Sequence, residues 1–252
     1  GNPVIVKPHP TAILPMALAV RTCREVLAEA GFEPDLVTLC CDTADDPVGK
    51  RLVRHPHAAI IDFTGSARFG AWVEQNAAPA LCFTETSGVN TVVVESVESL
   101  EPVVRSLATT MSLFSAQMCT SPQNIYVPAD GIRCGNARIA PAEFGAALAQ
   151  AMDAIAGDEK RAGSILAAIQ SPGTLALIEE MAAQGRARGE VLRESQPYRH
   201  AEHPRARTAT PLLVGIDAGA RDLYGEERFG PIGFVIRAED SRAALAAATA
   251  DR

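Results

Sequence analysis

Ala58-Ala59-Ile60-Ile61-Asp62-Phe63-Thr64-Gly65-Ser66-Ala67-Arg68-Phe69-Gly70 passes from an apolar run through a Gly-Ser turn into a helix. Residues 58–62 read as a strand from their short apolar run and paired isoleucines. A helix then runs through Trp72 and Val73 to about Asn76, and residues 80–83 make the next strand. Strands alternating with helices predict a parallel, doubly wound sheet, and ligands on such sheets bind where strand ends meet helix starts. Gly65 and Ser66 open the helix, so its free N–H groups and positive dipole end suit a phosphate. The same two residues also make an ordinary strand-to-helix turn, and both readings stand. Gly70 lets the helix lie close to the sheet or to another backbone.

Upstream the alternation continues. Pro3-Val4-Ile5-Val6-Lys7 is a strand broken by Pro8 and Pro10. A helix over residues 11–30, ended by Gly31, carries Met16, Val20, Cys23, Leu27 and Ala30 on its expected buried face, with Pro15 in its first turn. Residues 36–40 are a strand and 47–54 a short helix. Lys7, at a strand's carboxyl end, is either a ribose-binding lysine or a solvated one. His55 and His57 near Cys40 and Cys41 match no common zinc spacing, so no metal is expected.

Over 252 residues, 47% are hydrophobic but only 5% aromatic, so the core is built from Ala, Val, Leu and Ile. The net charge of −7 argues against a nucleic-acid partner. No apolar run reaches the roughly 18–20 residues of a membrane span, and no basic-then-apolar leader opens the chain. The six cysteines show no disulfide framework. A reducing cytoplasm is the expected location.

Downstream, Glu85 closes the strand in Phe83-Thr84-Glu85-Thr86-Ser87-Gly88. Residues 91–94 are strand-like. A helix from about Val97 lines up Leu100, Val103, Val104, Leu107, Met111 and Phe114 and is expected to deliver Cys119, 34 residues after Glu85. The segment is Phe114-Ser115-Ala116-Gln117-Met118-Cys119-Thr120, followed by Pro122 and a strand over 123–127. A thiol reacts only as thiolate, and an isolated cysteine is ordinarily structural. Its neighbours alter that reading.

Residues 83–90 and 113–127 resemble the two signature segments of the aldehyde dehydrogenase superfamily. So do residues 1–8, ending in Lys7-Pro8, the Phe63-Thr64-Gly65-Ser66 turn with Gly70, and Glu226-Glu227-Arg228-Phe229-Gly230-Pro231. These five segments keep the family's order across nearly the whole chain. The wording around Glu85 and Gln117-Met118-Cys119-Thr120-Ser121-Pro122-Gln123 is most similar to the branch associated with phenylacetate breakdown. The resemblance implies an α/β chain. Residues 1–84 would be part of a Rossmann-like, parallel-sheet NAD(P)-binding domain, and residues 85–252 an α/β catalytic domain.

It further implies NAD(P)-dependent oxidation of an aldehyde to an acid in phenylacetate catabolism. Cys119 would be the nucleophile and Glu85 the base. Lys7 would hold the adenine-side ribose, Gly65 and Ser66 the pyrophosphate, Glu227 the nicotinamide ribose, and Phe229 would lie beside the ring. The implied partners are a small aldehyde, such as a CoA-linked semialdehyde, and further copies of the parent chain. NAD-preferring members carry a glutamate three residues after the lysine, where this chain has Pro10. That loss favours NADP, or use of both cofactors. Ser87-Gly88 replaces the family's Gly-Gly and would narrow the substrate funnel.

The family's N-terminal part, with the asparagine that completes the oxyanion hole, would precede residue 1. Its subunit-crossing strand would follow residue 252. The chain is therefore expected to be an inactive piece of an active parent. A CoA-acylating relative is the other enzymatic reading, disfavoured by the presence of Glu85. Farther on, Phe144, Leu148, Met152 and Ile155 mark a helix, as do residues 174–183. Residues 191–208 read as a basic surface loop, either solvated or facing an anionic substrate. Residues 212–216 and 233–236 are strands, and 241–250 a closing helix.

Overall fold

Residues 2–86 and 88–251 are described by a computed structural model, in which the chain divides into two units, Gly1–Thr86 and Ser87–Arg252. The first unit begins with β1 (Val4–Val6), α1 (Ile13–Glu29), β2 (Val37–Leu39) and α2 (Gly49–Val53). It continues through β3 (Ile60–Gly65), α3 (Ala67–Asn76) and β4 (Leu81–Thr86). The opening stretch is strand for longer than its apolar run suggests, since Phe63, Thr64 and Gly65 extend β3 up to the helix cap. Each pair of consecutive strands is parallel, β1 with β2 and β3 with β4.

Two parallel pairs form within this unit, in keeping with the expected part of a parallel-sheet domain. The crossovers α1 and α3 each bring one strand beside the next, and among the described residues no hydrogen-bonded strand joins the two pairs. Beneath β3 and β4, Ile61, Phe63 and Cys82 pack with Val53, Val73, Phe69 and Trp72. Trp72 also lies under two cations, with Arg54 Cζ 4.9 Å and Lys50 Nζ 5.1 Å from its ring centre.

The inward face of α1 differs from the expected one. Met16, Cys23 and Ala30 are exposed, whereas Ile13, Ala17, Val20, Arg24 and Leu27 turn inward. The cause is Arg24, which donates to the Val37 carbonyl at 3.2 Å and pairs with Asp35 at 2.7 Å. A count of apolar positions cannot register a charged anchor of that kind.

The second unit opens with β5 (Thr91–Val93), β6 (Ser96–Val97) and α4 (Leu100–Ser112), followed by β7 (Asn124–Pro128), β8 (Ile132–Cys134) and β9 (Ala137–Ile139). Then come α5 (Pro141–Ala156), α6 (Glu159–Ile165), α7 (Pro172–Arg188) and β10 (Glu190–Arg193). Last are β11 (Leu212–Asp217), α8 (Arg221–Tyr224), β12 (Ile232–Ala238) and α9 (Ser241–Ala250). Five of these strands make one sheet in the order β10-β11-β12-β7-β5, parallel except for β10.

Alternate residues of the central strands serve opposite faces. Tyr126, Leu212, Val214, Phe234 and Ile236 pack with α7 residues such as Ile178 and Met181. Ile125, Leu213 and Val235 pack with Val104 and Met111 of α4 and with Phe144, Leu148 and Met152 of α5. A sheet covered on both faces reads as continuous apolar runs, which is how its strands appear in the sequence.

Two further expectations fail. Residues 191–193 belong to β10 rather than to a loop, and Arg193 is buried, donating to Asp153 at 2.9 Å and Thr210 at 3.0 Å. The helix leading toward Cys119 stops at Ser112, and Phe114 is 52% exposed rather than part of its buried stripe. Among the described residues, no helix is long and apolar enough to cross a membrane.

Candidate active site

After α4 the backbone changes hand. Leu113–Ala116 is a short 3₁₀ turn in which Phe114, Ser115 and Ala116 have φ of 51°, 54° and 49°. L-residues avoid that left-handed region, which costs roughly 1–2 kcal/mol per residue. Such backbone persists only when its surroundings fix it, and here the 166–170 segment does so. Ser115 Oγ donates to the Ala167 carbonyl at 2.9 Å and accepts from the Ala167 N–H at 3.1 Å. Gln117 Nε2 donates to the Ala168 carbonyl at 3.0 Å, and its Oε1 accepts from the Gln170 N–H at 2.9 Å.

The chain then makes a turn closed by the Ser121 N–H on the Met118 carbonyl at 3.1 Å. Cys119 is the second residue of that turn, exposed and with a free thiol. Its backbone N–H donates to no group among the described residues, which leaves it available to a developing oxyanion.

One amide side chain, Asn90, holds this turn, and a second, Gln123, ties the following strand to the 224–228 loop; neither stands out in the sequence. Asn90 Nδ2 donates to the Cys119 carbonyl at 2.6 Å and to the Ser121 carbonyl at 3.3 Å. The Asn90 carbonyl accepts the N–H groups of Gln123 and Asn124. Gln123 is buried and donates through Nε2 to the Tyr224 and Glu226 carbonyls at 3.0 and 3.1 Å, while its Oε1 accepts from the Arg228 N–H. Glu227 and Phe229 are therefore carried on a loop tied to the strand that follows Cys119. Met118, Gln123, Glu227, Phe229 and Gly230 line one cleft, with Phe229 42% exposed. The available signal was a pair of amides, Gln123 and Asn124, at the head of an otherwise apolar strand.

The remaining predicted residues lie in the first unit. Glu85 is the penultimate residue of strand β4, exposed, and opposite Thr64, while Gly65 is opposite Thr86. Glu85 and the Gly65-Ser66 turn thus share the carboxyl ends of two neighbouring parallel strands. Ser66 caps α3 by accepting the Phe69 N–H at 3.3 Å, which leaves its hydroxyl proton to donate. Gly70 is required for packing, because a Cβ there would come within 2.5 Å of Thr86 Cγ2.

Lys7 is neither free nor simply solvated. Its Nζ is 2.8 Å from Asp42 Oδ1, and it also donates to the Pro8 carbonyl at 3.1 Å. Burial pushes the Asp42 carboxyl up, but the Lys7 ammonium and the Val48 N–H outweigh it and hold the group below its ordinary value of 3.8. A helix start with an available hydroxyl and a half-buried lysine fit the diphosphate and ribose of a nicotinamide dinucleotide. Ser87, expected to narrow the funnel, lies outside the described residues.

The sequence model of the aldehyde dehydrogenase family matches residues 1–251. The chain belongs to the aldehyde dehydrogenase family. A crystal structure of an NAD-dependent aldehyde dehydrogenase from Burkholderia multivorans is 43% identical and superposes with a TM-score of 0.91, over 98% of this chain and 44% of that one. A vanillin dehydrogenase of Pseudomonas fluorescens is 30% identical over 97% of this chain and 48% of its own length. A 1-pyrroline-5-carboxylate dehydrogenase of Bacillus cytotoxicus is 25% identical over 98% and 46%. The aldehyde dehydrogenase chain described here spans about half the length of the curated relatives it matches.

Proposed function

We propose that the full-length protein oxidises an aldehyde to a carboxylic acid with NAD or NADP, using Cys119 as nucleophile. The observation that carries this reading is an exposed thiol on a strained, side-chain-braced turn, within a chain matched along residues 1–251 by the aldehyde dehydrogenase family. Residues 1–84 then act as part of the cofactor-binding domain and 85–252 as the catalytic domain.

The Cys119 thiolate adds to the aldehyde carbon, and the oxyanion that forms is met by the Cys119 N–H. The bound nicotinamide dinucleotide supplies the hydride acceptor. Hydride loss from the thiohemiacetal carbon leaves a thioester on Cys119. Glu85 takes a proton from water as that water attacks the thioester, releasing the acid and restoring the thiol. Lys7 would hold the adenine-side ribose, and Ser66, with the N–H groups that open α3 after Gly65, would hold the pyrophosphate. Glu227 would hold the nicotinamide ribose, and Phe229 would lie beside the ring.

The similarity of the Gln117-to-Gln123 wording to the phenylacetate branch supports a substrate from phenylacetate breakdown, a semialdehyde carried on CoA. Arg193 and Arg207 are engaged with protein groups, whereas Arg199 and Arg205 are exposed on the 194–210 segment and available to an anionic carrier. The parent protein is a homo-oligomer in the cytoplasm under this reading. The test is a panel of aromatic aldehydes and CoA-linked semialdehydes with NAD and NADP, following reduced nicotinamide and the acid formed. Cys119→Ala is expected to abolish turnover while leaving the fold unchanged by circular dichroism. Full turnover by that variant would remove Cys119 from the mechanism.

A further inference from the structure

Asp42 has no part in the reaction above, yet its side chain is only 1% exposed. Oδ1 is ion-paired with Lys7 Nζ at 2.8 Å, and Oδ2 accepts from the Val48 N–H at 3.1 Å. A buried carboxylate is tolerated only when paired and hydrogen-bonded in this way. The pairing also changes what Lys7 can offer a ligand. An ammonium has three N–H donors. One meets the Pro8 carbonyl, and the ion pair with Asp42 offsets the ammonium's charge, on a side chain that keeps 27% exposure.

A lysine whose charge is offset by a buried carboxylate suits a neutral hydroxyl. It does not suit a phosphomonoester, which carries nearly two negative charges and binds where positive charge is in excess. The loop behind Lys7 deepens the mismatch. Residues 42–46 include Asp42, Asp45 and Asp46 and no basic residue. Arg51 approaches Asp46 only to 3.7 Å.

We propose that the Lys7–Asp42 pair selects the dinucleotide whose adenosine ribose has a free 2′-hydroxyl, so that this protein prefers NAD over NADP. The inference rests on the ribose role given to Lys7 under the proposed function. It reverses the preference expected from Pro10. The carboxylate absent three residues after Lys7 is replaced by one from the loop after β2, acting through the lysine rather than on the ribose directly. Asp42 is thus a positioning residue for cofactor choice.

The experiment is direct binding, without aldehyde, of NADH and NADPH to the full-length protein and to Asp42→Asn and Asp42→Ala, followed by nicotinamide fluorescence and calorimetry. Wild type is expected to bind NADH at least about tenfold more tightly than NADPH. Asp42→Asn keeps the shape and the acceptor for Val48, and is expected to close that gap by gaining NADPH affinity. A wild type that binds NADPH as tightly as NADH overturns the inference and leaves the dinucleotide site standing. An unchanged ratio in a folded Asp42→Asn or Asp42→Ala also overturns it. Binding of neither nucleotide overturns both the inference and the dinucleotide site. The wild-type ratio decides the preference even if both variants fail to fold.

Discussion

Asn90 reaches the carbonyls of Cys119 and Ser121 with a single side-chain amide. It touches neither the thiol nor a substrate, so its effect on the chemistry is through placement of the turn. A misplacement of about 1 Å at a reacting centre can cost on the order of 100-fold in rate. Asn90→Ala in the full-length protein is therefore expected to lower kcat by roughly 10- to 100-fold with little change in KM for the aldehyde. Asn90→Asp, which retains an acceptor but loses the two donors, should not rescue it. Equal loss of kcat by a distant surface control would show that Asn90 is only structural. The strain at Phe114, Ser115 and Ala116 gives the same emphasis, since these residues keep a costly conformation immediately before the thiol.

At the scale of elements, the Lys7–Asp42 pair fastens the end of β1 to the loop after β2. Asp42 is held below its ordinary value of 3.8, so near that pH the folded chain binds fewer protons than the unfolded one. Its contribution is complete above the unfolded value and is lost as pH falls through the folded one. Wild-type stability should thus decline more steeply as pH falls below about 5, through 3.8 and on through the lower folded value, than that of Asp42→Asn, which starts lower. Urea midpoints across that range would measure the difference.

Most of these elements were legible in the sequence, because strand and helix runs alternate and the central strands are apolar on both faces. What was not legible depended on single polar contacts. Arg24 rotates α1 away from its apolar stripe, Arg193 draws β10 inward, and the end of α4 is set by Ser115 and Gln117 bonding to a segment about fifty positions later. The order of motifs pointed to Cys119, Glu85 and Lys7 as candidates, but Asn90, Gln123 and Asp42 act through polar contacts that no spacing reveals.

Over the whole second unit, one carboxylate gathers distant parts of the chain. Asp251 Oδ2 accepts from Thr91, Asn124 and Tyr126 at 3.1, 2.9 and 2.9 Å, and Oδ1 is 3.0 Å from Arg221. Burial, and then the bond to Asp251, pushes the Tyr126 hydroxyl above its ordinary value, so it stays a donor. Removing the carboxylate strands several buried donors. Asp251→Ala should destabilise the protein by about 2–4 kcal/mol, with a smaller loss for Asp251→Asn, as read from denaturant midpoints. The nucleophile turn is long-range in the same way, and that bears on when it can form during synthesis. The groups that brace Ser115 and Gln117 are at residues 167–170, beyond the whole of α5 and α6. A nascent chain emerging amino end first carries Cys119 for some fifty residues before the brace exists. Until that segment leaves the ribosome and docks, the backbone before Cys119 lacks the four bonds that hold it in its left-handed conformation.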